Sequence, residues 1–355
     1  MSFKMLCYLH IPYCDSKCHY CSFNSYVDKF DTRADYISAL YEQLNFELQR
    51  FNAKPHSIDT LFIGGGTPST ISPELYTPIF KLLEPYLNPH AEITTEANPN
   101  SATQSWLKGM KALGVNRISF GVQSFDTDKL KALNRVHSPQ QAIEAIETAH
   151  NLGFEHISLD LIYNYRGDTT TLLQADIERA FTLPIDHISA YELTIEEHTK
   201  FASTPQVKQD DDNLALFVAQ HIKKRGFEHY EISNYGRYQS RHNQGYWRLE
   251  NYIGAGAGAV GFLDDRRYYP QTDIESYIHN PLKISEEKLS EDELLTEKLF
   301  LGLRSTLGVE SFILPIEMQK NADFLVSEGK LTLDNSKYYN TNLFLADEIV
   351  LFVLG

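Results

Sequence analysis

MLCYLHIPYCDSKCHYCSF, residues Met5 to Phe23, runs from an apolar strand into a loop that carries three cysteines. The strand is Met5–Ile11, and the loop spacing is Cys14-x3-Cys18-x2-Cys21. Soft thiolate ligands select iron–sulfur clusters or zinc over hard cations. Three thiolates can hold three irons of a cubane cluster and leave the fourth without a protein ligand, open to a small molecule. A structural zinc ion takes four protein ligands, and His10 or His19 would have to complete the set. The remaining thiol, Cys7, lies inside the strand, which argues against a disulfide. On the cysteines alone the cluster is favoured and zinc stays open.

Outward from this segment, apolar strands alternate with helical stretches. Strands are predicted at Met5–Ile11, Thr60–Ile63, Glu92–Glu96, Arg117–Gly121, His156–Leu161 and His187–Glu192. Helices are predicted at Arg33–Arg50, Pro73–Tyr86, Ala102–Leu113, Pro139–Leu152 and Thr169–Phe181. Ser72 before Pro73 and Ser138 before Pro139 read as N-caps with proline in the first turn. Repeated β–α units imply a parallel sheet with right-handed crossovers. Six units predict an α/β fold, an incomplete (β/α)6 barrel; an open doubly wound sheet is the alternative, because periodicity does not decide closure. From about Ser285 the pattern changes to helices and a hairpin. Ser290 with Glu293 forms a capping-box signal, GKLTLDNSKYYNT reads as two strands around a turn, and Thr341 is the expected cap of a last helix to Val353. The expected organisation is a partial barrel with its extension over 1–284 (core about 1–200) and a winged-helix-like domain over 285–355.

A chain of 355 residues with 42% hydrophobic and 22% charged residues can bury a sizeable core. No stretch reaches the ~20 apolar residues of a membrane span. The net charge of -15 opposes non-specific nucleic-acid binding. Four cysteines and no signal-peptide pattern set the expectation of a reducing cytoplasm.

Active groups of such folds gather at the carboxyl ends of the strands. There stand GGGTPS (Gly64–Ser69) after the second strand, Glu96 ending the third, Gln123 after the fourth, Asp160 in the fifth, and Arg135 in the connection between the last two. Singly, each has a structural reading: a turn, a helix cap, an ion pair, a surface arginine. Together, on successive strands and beside the cysteine loop, they form a ligand rim.

YLHIPYCDSKCHYCSF, GGGTPS, TTEANP, GVQSF, LNRVHS and SLDLIY occur in the order of the oxygen-independent coproporphyrinogen III oxidase family of radical S-adenosylmethionine proteins, and the chain most resembles its HemW-type haem chaperones. The resemblance spans nearly the whole length. It implies that Cys14, Cys18 and Cys21 hold a [4Fe-4S] cluster whose open iron meets S-adenosylmethionine. It also implies that Tyr8, Tyr20, Gly65, Gly66, Thr67, Glu96, Gln123, Arg135 and Asp160 bind that molecule. The oxidases carry a further cysteine two places beyond the third ligand; here that place is Phe23, followed by Asn24 and Ser25. The departure argues against coproporphyrinogen oxidation, although a radical enzyme acting on a tetrapyrrole is the alternative function.

HNQGYW, His242 to Trp247, matches the HNxxYW motif of the chaperones and makes His242 the expected haem ligand, histidine being a common axial ligand. The bland reading is local packing of His242 with Tyr246 and Trp247. YIGAGAGAVG (Tyr252–Gly261) is a poor dinucleotide fingerprint, lacking the βαβ context, and resembles a family loop packed beside the ligand chamber. Val260 stands where family members often have histidine, so no metal or haem role is assigned to it. IYNYRGD (Ile162–Asp168) also departs from the family pattern. The implied cargo is haem and the implied partners are haem-accepting respiratory enzymes, with a haem donor protein and a second copy of the chain as further candidates. The implied location is the cytoplasm, with at most transient contact with the inner membrane face. The C-terminal segment, being acidic, is expected to cover or dock at the barrel mouth rather than bind DNA.

Overall fold

A computed structural model describes residues 4–355. Its centre is a run of β–α units: β1 (Met5–Ile11), α1 (Arg33–Arg50), β2 (Ile58–Gly65), α2 (Pro73–Leu83), β3 (Leu87–Ala97), α3 (Gln104–Ala112), β4 (Arg117–Gln123), α4 (Thr127–Ala132), α5 (Pro139–Asn151), β5 (His156–Tyr163), α6 (Thr170–Ala180) and β6 (His187–Glu192). The six strands pair in parallel in sequence order. Their burial is nearly continuous, as a parallel sheet covered on both faces requires. Ser138 caps α5 in a full capping box with Gln141, whereas the hydroxyl of Ser72 makes no cap bond and proline alone marks the start of α2. The short helix α4 carries no strong period in the sequence.

The sheet grows at both ends. Beyond β6, helix α7 (Asp212–Lys224) leads to β7 (Glu228–His229) and β8 (Asn234–Gly236), and β8 pairs antiparallel with β6. Helix α8 (Arg241–Trp247) then crosses to β9 (Tyr252–Ala255), which pairs parallel with β1, far away in sequence. Then follow β10 (Gly261–Leu263), β11 (Arg266–Pro270), α9 (Ile274–His279) and β12 (Ile284–Lys288). The result is one twelve-stranded open sheet whose edges are β12 and β7. Because β12 pairs with β11 along its length, a boundary at 284/285 falls inside a strand of the large sheet.

The C-terminal domain comprises α10 (Glu291–Leu303), β13 (Val309–Glu310), α11 (Ile316–Ser327), β14 (Leu331–Asp334), β15 (Lys337–Asn340) and α12 (Ala346–Leu354). It has its own apolar core, with Leu299, Leu303, Leu325, Tyr338, Ile349 and Val353. The Ser290–Glu293 capping box forms. Thr341 caps nothing: its hydroxyl donates to the carbonyls of Gly329 and Lys330, and Asn342 caps a single 3-10 turn ahead of α12 instead. Helix α10 reaches both sides of the open barrel. Glu297 pairs with Arg267 of β11 on one side. On the other, the backbone at Arg304–Thr306 bonds to Tyr230 and Ile232, at 3.0 Å from Ile232 N to Arg304 O and 2.9 Å from Thr306 N to Tyr230 O. The domain therefore links β11 on one side to the turn between β7 and β8 on the other. Among the described residues no helix is long and apolar enough to cross a membrane.

Candidate functional site

The carboxyl end of β1 delivers the cysteine loop to the rim. Lys17 Nζ donates to Phe23 O at 2.6 Å and to Ser25 Oγ at 2.7 Å, folding the loop on itself. Asn134 Nδ2 donates to Lys17 O at 2.8 Å, and His19 N to Leu133 O at 3.2 Å, so the loop is tied to the connection after α4. All three cysteines line a cavity of about 390 Å³. Tyr20, Gly65, Gly66, Thr67, Glu96, Gln123, Arg135 and Asp160 line the same cavity.

A polar belt joins two of the thiols through the rim. Thr67 Oγ1 donates to Cys14 Sγ at 3.3 Å and accepts from Asn98 Nδ2 at 3.1 Å. Arg135 donates through Nη2 to Asn98 Oδ1 and to Gly121 O, both at 2.6 Å, and through Nη1 to Cys18 Sγ at 3.2 Å. Bonds of this kind hold a sulfur ligand in place. Asn98 is a member of this belt that motif reading passed over, although it stands inside TTEANP. Tyr191, at the end of β6, also lines the cavity. Gln123 reaches it from a left-handed backbone (φ 69°) at an irregularity in the β4–β5 register.

The glycine run is needed for contact. Gly65 adopts φ +110°, and its N–H donates to Glu96 Oε2 at 3.1 Å. A Cβ on Gly66 would lie 2.7 Å from Tyr13 O and 2.8 Å from Ile11 O, both backbone atoms. Gly66→Ala is therefore expected to push β2 away from the cysteine loop, costing about 1–3 kcal/mol and lowering cluster content. Thermal melting and iron quantification check this.

Two carboxyls stand on the cavity floor. Burial first, and Asp160 second, push the Glu96 carboxyl up to about 8. Burial likewise raises Asp160 to about 6, against bonds from Ser189 and Ser119. Such a floor favours a ligand that brings positive charge or hydroxyl donors.

Two expected residues lie elsewhere. Tyr8 lines a second, more open cavity of about 410 Å³, joined to the first at Ser22 and Phe23. His242 is only 1% exposed and lines neither cavity. Its Nδ1 bonds to Thr60 Oγ1 at 2.6 Å, and its ring stacks on Phe62 and meets Tyr246 edge-on. Thr60 precedes Gly65 by five residues, roughly 16 Å of strand. His242 thus sits below the rim in the local packing that the bland reading described, and burial drives its pKa down to about 3. In this arrangement the ring is buried and lines neither cavity, while its Nε2 has no hydrogen-bond partner among the described residues.

The donor set fits a cubane cluster with an open iron. Three thiols line one cavity and no histidine lines it with them. His10 is held by Tyr8 and Asn24, at 3.0 and 2.9 Å, and His19 Nδ1 lies 3.1 Å from Ala132 O, so neither stands ready as the fourth ligand of zinc.

Thiols enough for three irons, at the carboxyl mouth of an open parallel barrel, define the class: this is a radical S-adenosylmethionine protein, and the radical SAM superfamily model matches residues 8–179. The heme chaperone HemW of Bacillus subtilis (strain 168) is 34% identical over 320 residues, spanning 85% of this chain and 84% of the relative. HemW of Escherichia coli (strain K12) is 40% identical over 262 residues, spanning 72% and 69%. HemW of Mycobacterium tuberculosis (strain ATCC 25618 / H37Rv) is 33% identical, spanning 98% and 94%. The chain belongs to the HemW family of radical SAM proteins. The solved structure of coproporphyrinogen III oxidase (HemN) from Escherichia coli superposes with a TM-score of 0.82 at 20% identity, covering 99% of this chain and 91% of that one, and shares its fold. Membership of the radical SAM family implies a [4Fe-4S] cluster and S-adenosylmethionine.

Proposed function

We propose that this chain is a haem chaperone that holds a [4Fe-4S] cluster through Cys14, Cys18 and Cys21, binds S-adenosylmethionine beside it, and delivers haem to respiratory haem proteins. The observation that carries the reading is Phe23. Where the oxidases place another cysteine, this chain presents an aromatic side chain, 65% exposed, on the lip shared by both cavities. A thiol there could take part in redox or radical chemistry; a benzyl group offers packing only.

When bound, the cluster would supply an electron and one iron open to the amino and carboxylate groups of S-adenosylmethionine. The chain's own residues do the rest. Arg135 and Thr67 fix the thiols of Cys18 and Cys14. The backbone of Gly65 and Gly66 allows close approach of the amino-acid end, and Glu96, Gln123 and Asp160 accept from amino N–H or ribose hydroxyl groups. Tyr20 packs beside them. The HemW names of its relatives support haem as cargo, and a cytoplasmic setting suits a three-thiolate cluster.

The test is a haem titration paired with an anaerobic coproporphyrinogen assay. Stable haem binding with no protoporphyrinogen is the expected outcome; steady oxidation without haem binding would overturn the reading. His242→Ala, run alongside, is expected to lose about 1–3 kcal/mol of stability through a vacated buried hydrogen bond while binding haem as the wild type does. Loss of haem binding in a folded His242→Ala protein would restore that histidine as ligand.

A further inference from the structure

Apart from Ser22 and Phe23, the second cavity is built from residues that do not line the first. β1 contributes Tyr8 and His10, the end of the cysteine loop contributes Phe23, and the segment from α8 to β9 contributes Tyr246 and Tyr252. Its remaining wall is the glycine-rich turn after β9. There the chain doubles back so tightly that a Cβ on Gly254 would fall 1.8 Å from Val260 O, and Gly258 adopts φ +81°. The turn therefore presents backbone and the small side chains of Ala259 and Val260 to the cavity, in place of bulk.

Two features of this lining point to the ligand. No charged side chain lines it, whereas the first cavity carries Glu96, Asp160 and Arg135. A zwitterionic, sulfonium-bearing molecule finds charged partners in the first cavity and none in the second. The second is walled by aromatic rings: Tyr246 and Tyr252 meet edge-on with centroids 4.7 Å apart, and Tyr8, stacked on Phe62, is part of the same wall. Flat apolar ligands are held by such rings, and the open side leaves room for charged substituents to reach water.

We infer that the cavity between Tyr8, Tyr246, Tyr252 and Val260 is the seat of a flat, tetrapyrrole-class ligand, gripped by its macrocycle and lying beside the cysteine cavity across Phe23. The inference rests on the haem-chaperone reading and locates its cargo. Both ring nitrogens of His10 are engaged, by the Tyr8 hydroxyl and by Asn24 O, while the hydroxyls of Tyr246 and Tyr252 make no hydrogen bond among the described residues. The grip thus comes from the walls rather than from a ready imidazole ligand to the metal. Iron-free protoporphyrin should occupy the same place.

The experiment uses the full-length, cluster-loaded protein. Haem is titrated into wild type, Tyr252→Ala and Val260→Trp; the first variant removes a wall and the second fills the space, so the pair does not depend on one fold tolerating one deletion. Iron and sulfide content and melting temperature are measured on each sample. Haem affinity is expected to fall about tenfold or more in both variants with cluster content retained, and iron-free protoporphyrin should displace haem from the wild type. Wild-type affinity in both variants would overturn the site while leaving haem binding intact. A wild type that takes up no haem would overturn the chaperone reading with it. Failure of iron-free protoporphyrin to compete would show that the metal carries recognition and would reject the macrocycle grip. Displacement of haem by S-adenosylmethionine, with no effect of the porphyrin, would make the cavity a second nucleoside site.

Discussion

Replacing Cys14, Cys18 or Cys21 by serine is expected to strip most of the iron and sulfide from anaerobically prepared protein. Each thiolate would hold one iron of the cluster, and a hydroxyl is a harder, weaker ligand for it. Loss even of a residue that only orients a metal ligand typically costs 10–100-fold in affinity, about the least to expect for a ligand itself. The visible charge-transfer absorption should fall in parallel. Cys7→Ala is the control. Cys7 is fully buried on β1, and burial raises its thiol far above the ordinary range, so it behaves as a small apolar core residue. Its replacement should lower stability slightly and leave the iron in place. Full retention of iron and sulfide in all three serine variants would sink the ligand assignment, and loss in Cys7→Ala alone would redirect it. An Arg135→Lys variant would refine the picture, because lysine keeps the charge but cannot span Cys18, Asn98 and Gly121 with one planar fork.

The contribution of Glu96 to the stability of the ligand-free protein is expected to fall as pH rises from about 5 to about 8. The Glu96 carboxyl has an ordinary value of 4.5 and is raised to about 8 in the fold, chiefly by burial. Between those values the folded chain holds a proton that the unfolded chain has lost, so raising the pH favours unfolding. Asp160, raised to about 6, adds to the slope at its lower end. The combined effect is on the order of a few kcal/mol. Glu96→Gln keeps an oxygen to accept from Gly65 N but cannot ionise, so between pH 6 and 8 its melting temperature should drop less than the wild type's and exceed it at pH 8. The same substitution should weaken S-adenosylmethionine, whose positive groups favour ionised carboxyls. Wild-type affinity should accordingly rise with pH through 6 to 8 as the bound molecule displaces protons. Thermal melts of both proteins across this range, with and without S-adenosylmethionine, check both halves. An identical pH slope in Glu96→Gln would remove Glu96 from the account.

Reading the chain from its residues, the parts that are local came out clearly. The strands β1 to β6 and their helices are written in apolar runs, proline and cap residues, each of which acts within a few positions. The capping boxes at Ser138 and Ser290 formed where a serine was followed three places on by Gln141 or Glu293. Cys14, Cys18 and Cys21 share a cavity with the rim groups because parallel strands place every carboxyl end on one side, so chain order alone sets their company. Tertiary structure decided what depends on distant partners or on which face a side chain takes. The pairing of β9 with β1 joins segments some two-thirds of the chain apart, and no local signal encodes it. The same pairing carries α8 beneath the rim, which seals His242 against Thr60 and Phe62 and swings Tyr246 and Tyr252 into a second cavity. Tyr8 likewise belongs to that cavity rather than to the cysteine one. A motif such as HNQGYW names the residues present; only the long-range register determines which of them meets a ligand and which is buried as core, because burial is a property of the assembled sheet and not of the segment.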